Sequence, residues 1–302
     1  MKRAAVILGI LSFAVWGGAL TFGQTGQQGQ PASGKPSAST PAQTTPAPTQ
    51  PAPTQPAGKR PPQAKTQPEF DAWKAASANT DPAALEKAAD DFATKFPDSE
   101  LRILLYKNAM RLYQRTNNGE KTEAMGRKVL ALDGDDPEAL TQVAEVISER
   151  TRDTDIDKDQ RYDEAMKMAQ KALQTVDTDV SVPAGTPQDK LDAYKSGLRS
   201  QAYSTMGAVE YSKGNYPAAE TNFQKAIDAY PSDPYALDVL RLALSLDKQQ
   251  KYPEALKVAN RAVEMTQDNT PIGTPARHER DRLVQLTGGT APTPTPSQPP
   301  KN

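Results

Sequence analysis

Residues 203–231 have the sequence YSTMGAVEYSKGNYPAAETNFQKAIDAYP. Their apolar spacing predicts two short amphipathic helices joined by a turn at residues 213–215 and ended by a proline. Large and small side chains alternate on the facing sides: Tyr203, Met206 and Gly207 on the first helix, and Ala219, Phe223 and Ala226 on the second. The small residues allow the helices to approach closely, so this segment is predicted to form a tightly packed helical hairpin.

The order of these residues resembles the tetratricopeptide (TPR) pattern W-x2-L-G-x2-Y…A-x3-F…P. Tyr203 stands at the Trp position, and Met206 and Gly207 match Leu-Gly, whereas Glu210 departs from the Tyr. The resemblance implies stacked hairpins whose first helices line a concave groove. In TPR proteins that groove holds peptides or helices of partner proteins.

The same pattern recurs along the chain, and Tyr106 and Leu140 are separated by the TPR period of 34 residues. We therefore predict an all-α fold: a right-handed α-solenoid of about five TPR-like hairpins over residues 68–287, including a C-terminal capping helix. Two insertions lengthen the period. One is the acidic loop 153–160, and the other is 177–193, where Pro183, Gly185 and Pro187 should break any helix.

The termini differ in composition from this body. Residues 1–23 combine Lys2-Arg3 with a long apolar run, which predicts a cleaved signal peptide or an uncleaved membrane anchor. Residues 24–67 are rich in Pro, Thr and Gln, and 288–302 repeat that composition, so both are predicted to be disordered. We expect an exported protein, periplasmic or in the cell envelope, that meets a membrane only through its N-terminal segment.

Charge and composition exclude several functions. Residues 68–287 hold 29 Lys and Arg against 37 Asp and Glu, a net charge of −8, which argues against nucleic acid as a partner. The chain has no Cys and a single His, His278, so cysteine metal sites and a Ser-His-Asp triad are excluded. No acid, base and nucleophile are gathered in sequence, and we predict that the protein is not an enzyme.

One acidic segment has the spacing of a calcium-binding EF-hand loop, with alternate aspartates and a glutamate eleven residues after the first. Its candidate ligands are Asp153, Asp155, Asp157, Asp159 and Glu164. Lys158 replaces the glycine of the sharp turn, and Gln160 replaces the usual apolar residue. The alternative is a solvated hydrophilic loop. The sequence predicts no other cofactor.

The predicted groove follows from the outward sides of the first helices. Its residues are Lys107, Arg111, Thr141, Glu145, Ser204, Ala208, Tyr211, Leu237, Leu240 and Leu244. Some chaperone-binding TPR domains hold a C-terminal carboxylate with basic residues of successive first helices. Lys107 and Arg111 could begin such a clamp, but Thr141 and Glu145 do not continue it. We therefore expect weak binding of acidic C-terminal peptides, or none.

The C-terminal end of this groove is apolar, since three leucines and Tyr211 form its predicted floor. Such a floor would suit an apolar partner helix or peptide. It could equally be covered by the capping helix or by a second copy of the chain. The function predicted from the resemblance is a non-catalytic protein–protein interaction scaffold. The alternative is a membrane-anchored oligomerising stalk or an enzyme accessory subunit, and a homo-oligomer stays open.

Overall fold

The computed structural model of the protein describes residues 59–183 and 185–288, and within these ranges the regular structure consists of α-helices without strands. The predicted signal or anchor, residues 24–58 of the predicted linker and residues 289–302 of the tail lie outside the described residues. The helices are α1 Gln67–Ser77, α2 Pro82–Lys95, α3 Arg102–Arg115, α4 Gly119–Leu132, α5 Pro137–Arg150, α6 Lys158–Thr175, α7 Gln188–Ser212, α8 Tyr216–Ala229, α9 Ala236–Lys248, α10 Tyr252–Glu264 and α11 Gly273–Thr287.

Helices that follow one another in the chain pack together, giving five successive hairpins from α1/α2 to α9/α10. First helices also contact the first helix of the next hairpin, as α5 does with α7 and α7 with α9. Helix α11 packs on α10 and buries Ala276 and Leu283. The predicted all-α class and the five TPR-like hairpins with a terminal helix are thereby confirmed. No helix in the described residues is both long and apolar enough to cross a bilayer.

Local sequence signals set several helix starts. Asp81 and Asp136 are N-caps, and each is followed by a proline at the first helical position. The two carboxylates accept hydrogen bonds from the backbone N–H groups of Ala84 and Ala139, at 2.8 and 2.9 Å. These bonds satisfy N–H groups that have no partner inside the helix, so Asp-Pro fixes where α2 and α5 begin.

The α7/α8 hairpin has the close packing that its sequence predicts. Phe223 is fully buried, and its ring lies against the backbone of α7 at Gly207. A Cβ added to Gly207 would lie 2.7 Å from that ring, which is too short for a real contact. Gly214 in the connecting turn has a φ of +77°, which a residue with a side chain rarely adopts.

The second insertion is more helical than predicted. The prediction that residues 177–193 contain no helix is wrong at its C-terminal end, because α7 begins at Gln188 and runs for 25 residues. Pro187 is the residue just before this helix, a position that suits its fixed φ. The extension is held by a small apolar cluster of Val176, Val180, Leu191 and Leu198.

Residues 59–66, which the sequence assigns to the linker, lie against the helical body; we call them the N-terminal strap. Lys59 donates its backbone N–H to the carbonyl of Val180 at 3.2 Å, and its Nζ lies 2.7 Å from Asp133 Oδ2. Further along, Arg60 Nη2 lies 2.7 Å from Glu100 Oε1. The strap therefore contacts the loops after α2, α4 and α6, so the folded body begins before the predicted boundary at residue 68.

Candidate partner-binding face

Two adjacent first helices expose one side along their length. On α7 this stripe follows helical spacing, and on α9 the least buried positions again fall on one side. The stripe residues are Gln201, Ser204, Ala208, Tyr211, Leu237, Arg241 and Leu244, each of them partly buried. Since α7 and α9 are in contact, the two stripes form one surface. We call it the first-helix face.

Lys107 and Arg111, which the sequence places in the N-terminal part of the groove, form ion pairs with the start of α5 instead of lying open. Lys107 Nζ lies 2.8 Å from Asp136 Oδ2 and 2.9 Å from Glu138 Oε2. Arg111 binds the same Glu138 with two hydrogen bonds, of 2.5 and 2.6 Å. This bidentate arrangement links α3 to the start of α5 and occupies both cations.

The electrostatics of this cluster agree with its geometry. Burial alone would raise the pKa of Glu138, but Arg111 and Lys107 outweigh burial and hold that pKa well below its usual range. Burial likewise opposes the charge on Lys107, yet Glu138 and Asp136 raise its pKa overall. Glu138 and Lys107 therefore stay charged at neutral pH. Lys107 and Arg111 therefore do not form the start of a free carboxylate clamp.

The extension of α7 covers this part of the predicted groove. Burial, followed by the nearby charge of Glu138, raises the pKa of the Tyr194 hydroxyl, which hydrogen-bonds with Arg111. Thr141 is fully buried, and its hydroxyl donates to the carbonyls of Pro137 and Glu138. Thr141 is thus a packing residue, which corrects its predicted place in an open groove. Tyr194, which directly follows the predicted insertion 177–193, was not among the predicted site residues.

Two carboxylates lie beside the first-helix face, and neither makes an ion pair within residues 59–183 and 185–288. Glu145 on α5 accepts a 2.6 Å hydrogen bond from Gln201 Nε2, and burial, with Glu149 second, raises its pKa to about 7. Asp238 on α9 is 1% exposed and accepts a 2.5 Å hydrogen bond from the hydroxyl of Ser204. Burial raises the pKa of Asp238 to about 6. Glu145 was predicted as a groove residue, whereas Asp238 was missed.

The three leucines predicted at the apolar end of the groove differ in burial. Leu237 and Leu244 are partly exposed and pack, with Ala208 and Tyr211, on the edge of the C-terminal core. Leu240 is only 3% exposed, so its predicted place on the groove floor is wrong. The reason is that α9 packs against α8 and α10 as well as α7, and it must bury more than one narrow stripe. Leu283 of α11 is fully buried in the same core cluster as Leu240, whereas Leu286 is 50% exposed.

The EF-hand-like loop does not gather its predicted ligands. Glu164 Oε1 pairs with Arg127 Nη1 at 2.9 Å, and Asp155 Oδ2 accepts the backbone N–H of Arg152. Asp159 lies inside α6, one residue after its start. In the part of the chain that the structure describes, no three Asp, Glu, His or Cys side chains are placed to share a metal ion. Arginines at positions 150, 152 and 161 line the adjoining cleft, and their charge opposes a bound cation.

No family model matches the chain, and no curated protein matches it. Among solved structures, a MamA double mutant is 15% identical with a TM-score of 0.38, over 61% of this chain and 96% of that one. The RpL4 assembly chaperone Acl4 is 11% identical, also at 0.38, over 73% and 98%.

A third similar structure is the Cut9–Hcn1 hetero-tetramer of APC/C, at 12% identity and a TM-score of 0.32, over 72% of this chain and 46% of that one. These TM-scores lie below 0.5. The assignment of a TPR-like helical repeat fold therefore rests on the chain's own helices, their pairing and the packing of its small residues.

Proposed function

We propose that the protein is a non-catalytic protein–protein interaction scaffold that holds a partner segment on the first-helix face. The observation that carries this proposal is the row of partly exposed apolar side chains on two adjacent helices, Ala208 and Tyr211 on α7 and Leu237 and Leu244 on α9. Apolar groups at this spacing suit the apolar side of a helix or an extended peptide.

The N-terminal half of the array is a poorer binding surface. Lys107 and Arg111 are paired there with Asp136 and Glu138, and Tyr194 is near enough to be influenced by the same charges. A partner there would have to break a buried ion pair, which is strongly unfavourable. The proposal therefore places the partner on α7 and α9, at the C-terminal end of the groove that the sequence predicts.

We further propose that this scaffold acts outside the cytoplasm, in the cell envelope. The support is the sequence of residues 1–23, where two basic residues precede a long apolar run. Residues 24–58 would then separate the folded body from a cleavage site or a membrane anchor. Sequencing the N-terminus of the protein purified from cell fractions distinguishes these cases.

Display of a fifteen-residue peptide library tests the binding function. Wild-type protein should enrich a defined set of peptides, and Leu244→Glu should lose them because a charge replaces an apolar contact. The matched control is Leu132→Glu, which places the same charge at an exposed leucine on a second helix. Retention of the peptides by Leu244→Glu, or no enrichment by the wild type, would contradict the proposal.

A further inference from the structure

We propose that the partner segment carries a lysine or arginine, which docks against Glu145 of α5, beside Asp238 of α9, while its apolar neighbours contact Leu237 and Leu244. The inference rests on the proposed function, because it names the chemistry of the partner for the same face. It makes charge, as well as apolar contact, a determinant of which segments bind.

The first support is a pair of carboxylates without an ion pair in the described part of the chain, although Arg241 lies near enough to lower the pKa of both. Asp238 is buried, Ser204 is its hydrogen-bond donor, and no cation pairs with Asp238 or Glu145 among the described residues. Buried carboxylates in folded proteins are usually paired with a cation, because desolvation is costly. The missing counter-charge is the one that a basic side chain of a partner would supply.

The second support is the set of groups around these carboxylates. The charged and titratable groups that act on Glu145 include Glu149 on its own helix and Asp238 and Arg241 on α9. Tyr235, just before α9, is influenced by the same four side chains. Glu149 also lines the cleft of Arg150, Arg152 and Arg161, so Glu145 is the carboxylate that remains for a cation of the partner. Gln201 and Ser204 of α7 lie between them as neutral hydrogen-bond donors.

The third support is the position of the apolar contacts. Leu237 directly precedes Asp238, and Leu244 lies two helical turns after Leu237 on the same side of α9, so the apolar contacts lie within a few residues of the carboxylates. A bound segment can therefore reach the acidic end and the leucines within a few residues. An acidic segment would face repulsion at the same place. The favoured partner has a basic residue flanked by apolar residues.

The site should also respond to protons. The raised pKa values, about 7 for Glu145 and about 6 for Asp238, mean that both carboxylates become neutral as the pH falls from 8 to 5.5. A cation would bind the ionised form and lower both pKa values. Binding of a basic segment should consequently weaken on acidification, whereas binding of a neutral segment should not.

Three labelled fifteen-residue peptides test the inference with the full chain. They share one leucine face and carry lysine, glutamine or glutamate at a single central position. Fluorescence anisotropy at pH 8 should give at least tenfold tighter binding of the lysine peptide than of the glutamate peptide. In Glu145→Gln/Asp238→Asn that ratio should fall below threefold, with binding of the glutamine peptide unchanged. At pH 5.5 the wild type should show the same loss of preference.

The control is Asp228→Asn/Glu254→Gln, which removes two exposed carboxylates from second helices. It should keep the full preference, and an equal loss in this variant would assign the effect to overall charge and overturn the inference. Equal binding of all three peptides, lost in Leu244→Glu, would overturn the inference and leave the proposed function standing. Failure of every peptide to bind would contradict both.

Discussion

Gly207 allows the closest approach between two helices in the α7/α8 hairpin. We predict that Gly207→Ala destabilises the protein by about 1–3 kcal/mol, because the added methyl group would overlap the buried ring of Phe223. Gly197→Ala on the same helix is the matched control, since no atom lies within 4 Å of its Cβ position. There the change should stabilise by about 0.5–1 kcal/mol. Urea denaturation followed by circular dichroism measures both, and equal effects would refute the packing argument.

The carboxylates of Glu145 and Asp238, which make no ion pair among the described residues, predict an unusual dependence of stability on pH. Their folded-state pKa values, about 7 and about 6, lie above the ordinary values of 4.5 and 3.8. Protonation therefore favours the folded state, and their contribution to stability increases as the pH falls from 8 to 5. Each pKa unit corresponds to about 1.4 kcal/mol, which sets the scale of the effect.

Neutral variants at these positions test that dependence. Glu145→Gln and Asp238→Asn should raise the melting temperature at pH 8 and raise it clearly less at pH 5, where the folded-state carboxylates are protonated but the unfolded ones, with ordinary pKa values of 4.5 and 3.8, are still mostly ionised. Thermal denaturation of the unliganded protein at both pH values is the measurement. An increase of the same size at pH 5 would show that the charge is not the cause. Glu254→Gln, at an exposed site, should change neither value.

Individual residues also show what a sequence can and cannot predict. Gly207 and Phe223 were predictable, because close packing within one hairpin requires small and large residues at fixed spacing. The ion pairs of Lys107 were not, since Asp136 and Glu138 lie in the next hairpin. Their contact depends on how two hairpins are rotated against each other. The sequence predicted that Lys107 faces outward but could not identify what covers it.

Among the helices, α9 shows the clearest difference between the burial that the sequence predicts and the burial that is observed. Leu240→Glu should destabilise by several kcal/mol, because the side chain is buried and the new charge has no partner. Leu244→Glu should change stability by less than about 1 kcal/mol, since Leu244 is partly exposed. Chemical denaturation of the two variants distinguishes the sites. Similar losses in both would mean that Leu244 is also a core residue.

Helix α7 shows why a turn signal can hide a helix. Pro183, Gly185 and Pro187 correctly indicate an irregular segment, but α7 begins directly after the last of them. Leu191 and Leu198 are seven residues apart and are both buried, which is two helical turns on one face. That spacing was available in the sequence. It was outweighed by the prolines, although proline is compatible with the residue before a helix.

Across the folded body, the N-terminal strap joins parts of the chain that are distant in sequence. We predict that Lys59→Glu/Arg60→Glu destabilises the protein at low salt, because two attractive ion pairs become repulsive. The loss should shrink in 0.5 M NaCl. Lys74→Glu/Lys257→Glu makes the same charge change at exposed sites outside the strap. An equal loss in this control would exclude a specific role for the strap.

The bond between Lys59 and Val180 spans more of the chain than any contact between successive helices. In an array of hairpins, each hairpin otherwise contacts only its neighbours, so the hairpins can unfold one after another. The strap joins the start of the body to the loop after α6. We therefore expect the first three hairpins to unfold together. The α9/α10 hairpin and α11 have no such tie among the described residues. Hydrogen exchange should thus begin at the C-terminal end and reach the first six helices in a single cooperative step.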